Sequence, residues 1–367
     1  MFSSLWCRAR FLFVALALPC VSHAQQESGA GQTATERVVA IDVMLSKYLK
    51  PDAPGAVVLV TDHGTPLFRK AYGLANVPEK LALDPAMSLR VGSITKQFAA
   101  AAIMLLVEQG KLSLSDKIDR YLPEFSQMRT AITVEQLLTH TSGIRNYTAL
   151  PGFGERMASE VSVQEGIAFF KDASSEFAPG DRFAYSNSNY FLLGTIIERV
   201  TGMPYADFMA RHVFGPLQLT HTTIETDNTP AAVIGYTQGR RKVAAAPAYS
   251  MRWPYAAGAL RTNADDLALW NQAIAQGKLL NPESWQRMST SYRLRGSRPT
   301  GHGYGLFIRS VHGKTAIEHG GDIGGFSADA IRFPQEGIFI AMLTNDDAGA
   351  PAADVLAEKI AGFVLPH

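Results

Sequence analysis

Past residue 20 the sequence contains no cysteine; Cys7 and Cys20 are its only two. Thiol nucleophiles, thiolate metal sites and disulfide bracing are therefore excluded from the rest of the chain. No histidine begins the His-Glu-x-x-His pattern of a helical zinc site. No serine carries glycine at both −2 and +2, which removes the nucleophile elbow of the α/β-hydrolases. A Walker loop is missing too. The Gly-rich stretch 320–325 stands too near the C-terminus to open a dinucleotide-binding unit. These absences lead us to expect neither a cofactor nor a metal. Charge of one sign is also lacking. The 34 basic and 33 acidic residues are interspersed and leave +1, so nothing marks the chain as a partner of nucleic acid or anionic lipid.

What is present begins with an address. Arg8 and Arg10 precede a short apolar run, Phe11 to Leu18; Pro19 breaks it, and Ser22-His23-Ala24 ends in small residues. This is the pattern of a secretory signal peptide spanning 1–24, cleaved after Ala24, and it is too short to cross a bilayer. Pro19 argues against lipidation at Cys20. Cleavage removes both cysteines. It also removes two of the 34 basic residues and no acidic ones, which turns +1 into −1. The expectation is a periplasmic or secreted protein with no stable membrane insertion. Residues 25–35 are small and polar and read as a disordered lead-in.

The remaining chain, with 47% hydrophobic residues overall, can bury a sizeable core. Glu36 to Lys50 reads as an amphipathic helix. Ala56–Val60 and Pro66–Tyr72 flank Asp62-His63-Gly64 as a hairpin. Helical patterns dominate from Ser93 to about Trp270, and strands return near 304–310, 314–318, 326–333 and 337–343. A helix closes the chain from about Pro351 to Phe363. The expected class is α+β. One antiparallel sheet, built from 36–90 and 300–367, is flanked by terminal helices; a large, mainly helical insertion, 91–299, carries the chemistry. A cleft between the two would take a small molecule or short peptide.

Three motifs carry that chemistry. Ser93-Ile94-Thr95-Lys96 places a lysine one helical turn from a serine, and no other serine has lysine at +3. Gly92 before it and the apolar run Phe98–Val107 after it put the serine at the start of a buried helix. There, backbone N–H groups and the helix dipole favour developing negative charge. A capping serine with a solvated lysine is the plain alternative. Tyr185-Ser186-Asn187 follows the turn signal Pro179-Gly180; a phenol beside an ammonium can serve as general base, and Asn187 can meet an amide. Glu318-His319-Gly320-Gly321-Asp322 lets a substrate approach an edge strand, with the N–H of Asp322 available to an oxyanion.

In this order the motifs resemble those of the penicilloyl-serine hydrolases. The spacing is most similar to class C β-lactamases and their relatives among DD-peptidases, D-aminopeptidases and β-lactamase-like esterases. Further similar segments are Leu137-Leu-Thr-His-Thr-Ser-Gly-Ile144, Phe177 to Asn187 with Glu198 to Gly202, Ala257 to Leu267, and Gly303-Tyr-Gly-Leu306. The resemblance implies a β-lactamase/transpeptidase-like fold and roles for single residues. Ser93 would be acylated. Lys96 would hold Ser93 and Tyr185 in working protonation states. Tyr185 would take the serine proton and pass it to the leaving group. Asn187, His319, Gly320 and Gly321 would contact substrate, and the N–H groups of Ser93 and Asp322 would form the oxyanion hole. One departure stands out: His319-Gly320-Gly321 replaces the Lys-Thr-Gly or Lys-Ser-Gly of most β-lactamases. A carboxylate held by His319 would need its imidazolium form. The expected activity is therefore ester or D-residue amide hydrolysis through a Ser93 acyl-enzyme. β-Lactam hydrolysis is the first alternative and a non-catalytic penicillin-binding or sensor module the second. Trp253 and Tyr255 are further candidates for the cleft wall; His140 is expected to be structural, and Asp265-Asp266 to be helix-terminal charge.

Overall fold

The computed structural model describes residues 33–126, 131–226, 232–239, 243–296, 298–349 and 351–366. The expected signal peptide, and the expected lead-in up to residue 32, lie outside them. The lead-in ends earlier than expected. The Thr33 side chain accepts from the Glu36 N–H and the Glu36 carboxylate accepts from the Thr33 N–H, and this capping box starts helix α1 at Ala34–Tyr48.

Strands β1 (Ala56–Asp62) and β2 (Thr65–Tyr72) form the hairpin. Its two turn residues, His63 and Gly64, both have positive φ, as the right-handed twist of a two-residue hairpin demands. The middle of the chain supplies helices α2 (Thr95–Glu108), α3 (Asn187–Thr201) and α4 (Ala264–Ala275). Strands β3 (Phe307–Val311), β4 (Lys314–Ile323), β5 (Phe326–Phe333) and β6 (Ile338–Thr344) follow, then helix α5 (Ala353–Val364). The sheet order is β3-β4-β5-β6-β1-β2, antiparallel throughout, so both chain ends build it.

Strand alternation divides the core into two layers. Val58, Ile331 and Ile340 face Ile41 and Leu45 of α1 and Leu356 and Ile360 of α5. Val57, Leu59, Ala328 and Leu343 face the helical side, where Phe98, Ile103 and Leu106 of α2 are buried. Each such large side chain contributes roughly 1.5–3 kcal/mol by leaving water. Phe98 also stacks on Trp270 at 4.1 Å between ring centroids, which fixes α2 against α4.

One detail of the sheet positions everything that follows. β3 pairs with β4 only as far as Glu318, so the outer edge of residues 319–323 has no strand partner among the described residues. The short 3₁₀ turn Gly92–Ile94, at the head of α2, packs there instead.

Candidate active site

The turn that carries Ser93 is clamped from both sides. The Val91 N–H donates to the Leu260 carbonyl at 3.2 Å. The Thr95 hydroxyl donates to the Gly92 carbonyl at 2.6 Å and accepts from the Leu260 N–H at 3.0 Å. Ser93 caps nothing with its side chain. Its Oγ lies 2.9 Å from Lys96 Nζ and accepts from the Tyr185 hydroxyl at 2.8 Å. The plain alternative of a capping serine with a solvated lysine is therefore not what forms.

Lys96 is completely buried, although the sequence alone allowed it to be exposed. Nζ lies 2.8 Å from Asn187 Oδ1 and 2.7 Å from the Ala257 carbonyl, and it stands over the Tyr185 ring at 4.8 Å. The lost hydration outweighs these contacts and holds its pKa well below the ordinary lysine value. Burial acts oppositely on Tyr185 and raises its pKa above that of a free phenol. Burial thus pushes both groups toward their uncharged forms.

Tyr185 is aimed by His140. The His140 carbonyl accepts from the Ala184 N–H at 3.0 Å, and its Nδ1 accepts from the Ser186 N–H at 3.2 Å. The imidazole packs against the phenol at 4.5 Å between centroids. Accepting at Nδ1 places the ring proton on Nε2. His140 is therefore a positioning residue for Tyr185, in line with the structural role expected of it. Asn187 opens α3 and has its N–H held by Asn146 Oδ1 at 3.2 Å. With Oδ1 turned to Lys96, its amide donor is what remains for a substrate.

Gly320, Gly321 and Asp322 run along the open edge of β4. The hairpin closes at Ile323 and Phe326 through Gly324 and Gly325, both with positive φ. Antiparallel alternation then turns the Asp322 N–H away from β5, toward the nucleophile turn. The two backbones touch. A Cβ built on Gly321 would lie 2.6 Å from Ser93 N, and one on Gly92 would lie 2.9 Å from Asp322 N. Only glycine at both positions permits this approach, and it brings the expected oxyanion donors, Ser93 N–H and Asp322 N–H, into one place.

His319 also lines the cleft, with Phe307 at 5.2 Å and Tyr185 at 6.0 Å between centroids. Its Nδ1 lies 2.6 Å from the Gly320 carbonyl, to which it donates. Burial, helped by Lys96 and His302, holds its pKa well below the ordinary histidine value. The imidazolium expected to meet a substrate carboxylate is thus disfavoured near neutral pH. His302, which sequence reasoning missed, stands between His140 and His319 at 4.9 and 6.3 Å. Both its nitrogens are buried without hydrogen-bond partners among the described residues, and burial lowers its pKa to about 3. Its only signal in the sequence was adjacency to Gly303–Leu306. The Ala257 carbonyl was missed as well, since a backbone acceptor has no residue signature.

Other candidates fall elsewhere. Trp253 does not reach the cleft; it is buried against Tyr147, Phe153 and Phe169 and donates through Nε1 to the Arg156 carbonyl. Tyr255 packs on Phe191 and Tyr205. Asp265 pairs with Arg69, and Asp266 accepts from the His221 N–H and the Thr222 hydroxyl. Two contiguous cavities share Ser93. One, of about 630 Å³, holds Tyr185, His319 and the β4 edge; the other, of about 340 Å³, holds Asn187, Tyr249 and Gly258.

Comparison with known proteins agrees with the fold described above. The Beta-lactamase family model matches residues 39–364. "Protein flp" of Staphylococcus aureus (strain MW2) is 28% identical over 324 residues, which are 83% of this chain and 62% of that protein. The chain thus spans about 62% of the length of that relative. "Putative penicillin-binding protein PbpX" of Bacillus subtilis (strain 168) is 32% identical over 268 residues, 72% of this chain and 64% of that one. Among solved structures, a D-stereospecific amidohydrolase from Streptomyces sp. superposes with a TM-score of 0.74 at 28% identity, covering 88% of this chain and 98% of its own.

Proposed function

The chain belongs to the Beta-lactamase family, and from that premise we propose an exported serine hydrolase that cleaves ester or D-amino-acid amide bonds through an acyl-enzyme at Ser93. The observation that carries the reading is Ser93 Oγ in simultaneous contact with a buried amine and a buried phenol. Hydrogen-bond bookkeeping supports a division of labour. A neutral amine has two N–H donors and one lone pair. In the neutral form of Lys96, Asn187 Oδ1 and the Ala257 carbonyl would take both donors and leave the lone pair facing the serine hydroxyl at 2.9 Å.

Ser93 Oγ attacks the substrate carbonyl as its proton passes to Lys96. The oxygen takes negative charge beside the N–H groups of Ser93 and Asp322. Tyr185 gives its proton to the departing oxygen or nitrogen and is re-protonated from the Lys96 ammonium. Water then releases the acyl group by the reverse sequence. The family resemblance gave the first proton transfer to Tyr185. The Tyr185 hydroxyl already donates its own proton to Ser93 Oγ, which leaves Lys96 Nζ as the acceptor in that step.

The D-stereospecific amidohydrolase among the similar structures supports the substrate class, as does His319-Gly320 in place of a permanent cation and hydroxyl. β-Lactam turnover stands second for the same reason. The intact Ser93, Lys96 and Tyr185 set weighs against a non-catalytic module. Export rests on the leader sequence. The test compares a short-chain nitrophenyl ester, a D-alanyl anilide and a chromogenic cephalosporin. Turnover of the first two, a slower third and an inert Ser93→Ala protein are expected. A folded Ser93→Ala protein with full turnover would overturn the reading.

A further inference from the structure

We propose that the cleft continues across the open edge of β4 into a subsite for an ammonium group of the substrate, with Asp329 as the receiving carboxylate and Gly320 as its doorway. The proposal rests on the hydrolase reading in taking the ammonium to be carried by the molecule that Ser93 cleaves.

Asp329 is the unexplained group. It lies within β5, only 1% exposed, and neither carboxylate oxygen has a hydrogen-bond partner among the described residues. Buried polar groups in folded proteins are nearly always satisfied, and an unpaired carboxylate is among the costliest exceptions. Nothing in the nucleophile machinery needs it. Its place suggests what satisfies it. Asp329 is the cross-strand partner of Gly320, so the two positions share one face of the sheet. A Cβ at residue 320 would stand 3.6 Å from Asp329 Oδ1. Glycine leaves that position empty, and the carboxylate is aimed at it.

The space connects to the chemistry. The cavity of about 630 Å³ lined by Ser93 and Tyr185 is also lined by Gly320, Asp329, Glu318, Asp322 and Asp354. Its charge is one-sided. Arg309 holds Glu318 through two hydrogen bonds of 2.6 and 2.8 Å and also pairs with Glu358 at 2.6 Å. Arg309 thus answers one of the cavity's acids, Glu318, and shares its charge with Glu358 outside the lining, while Asp322 and Asp354 have no ion-pair partner among the described residues. A carboxylate entering here meets repulsion and a cation meets attraction. No group of three side chains able to hold a metal ion occurs among the described residues, which points to an organic cation. Burial, with Glu318 and Asp354 nearby, raises the Asp329 pKa well above the usual carboxylate range. Burial therefore favours the acid form over a bare carboxylate there, against the pull of the Arg309 guanidinium. An arriving ammonium replaces that proton as the counter-charge, and the proton leaves to solvent.

The experiment pairs two nitrophenyl esters, hexanoate and 6-aminohexanoate, which differ only by the cation. It also measures binding of pentylammonium by calorimetry. Wild type should prefer the amino ester in kcat/KM and bind pentylammonium. Asp329→Asn, which keeps the shape and removes the charge, should lower the amino-to-neutral ratio and the pentylammonium affinity about ten- to a hundredfold. Gly320→Thr should do the same by filling the doorway. It should fold, because its Cβ meets nothing closer than 3.4 Å. An unchanged ratio and unchanged affinity in a folded Asp329→Asn protein overturn the subsite. If neither ester is turned over while pentylammonium binding still depends on Asp329, the hydrolase reading falls and the cation site stands.

Discussion

Gly321→Ala should disable the enzyme while adding a single methyl group. The Cβ would lie 2.1 Å from the Val91 carbonyl oxygen, 2.6 Å from Ser93 N and 3.0 Å from Gly92 C. All three are backbone atoms, so no side chain can swing aside. Relief requires β4 and the nucleophile turn to part by about 1 Å, a displacement that typically costs on the order of a hundredfold in rate. The parting also moves the Asp322 N–H away from the developing oxyanion. Loss of one such donor costs about 10²–10³ in kcat, or about 2.7–4 kcal/mol. Overpacking takes roughly a further 1–3 kcal/mol from stability. The assay is kcat on a nitrophenyl ester, with a melting curve to show that the protein is folded. Gly320→Ala is the internal control. Its Cβ would meet only ordinary contacts at 3.4 and 3.6 Å, so the loss should be far smaller. A folded Gly321→Ala protein with kcat as high as that of Gly320→Ala would refute the oxyanion geometry.

Other expectations follow from buried charge. Lys96→Arg supplies a permanent cation that cannot offer a lone pair, so it should lose about 10²–10⁴ in kcat, as should Lys96→Ala; a milder arginine variant would show that a permanent cation suffices. His319 has a depressed pKa, so it gains charge only well below its ordinary range. The KM of a carboxylate-bearing substrate should therefore show no tightening with a midpoint near 6.5, and such a midpoint would place a titrating imidazolium in the site. Asp329 has a raised folded-state pKa, so the folded protein holds a proton that the unfolded chain releases above about pH 4. Stability from this group falls as pH rises from there. Asp329→Asn should raise stability at pH 7 by about 1–3 kcal/mol and lose that advantage near pH 4 in urea titrations; an equal gain at both pH values would contradict the buried-acid reading.

Much of the site was legible because its chemistry sits in short local patterns. Helical spacing alone brings Lys96 to Ser93, and Tyr185-Ser186-Asn187 is a turn leading straight into α3. The hairpin, the strands from both chain ends and the helices at 163–170 and 264–275 followed from periodicity. What was not legible depends on contacts across the fold. The Ala257 carbonyl and the clamp of His140 on Tyr185 exist only once distant segments meet. Asp329 was hidden for another reason. β5 is buried on both faces, so the alternation that normally separates inside from outside says nothing about it. Trp253 misled because its stretch looks like a surface loop, while Tyr147, Phe153 and Phe169 enclose its ring.

The most direct test of Ser93 as the acylated nucleophile is intact-mass spectrometry of enzyme quenched during turnover of a slowly released ester, followed by peptide mapping. A mass increase equal to the acyl group, located on the peptide bearing Ser93 and missing from folded Ser93→Ala, is the expected result. An adduct on any other residue, or turnover by Ser93→Ala with no adduct at all, would contradict it.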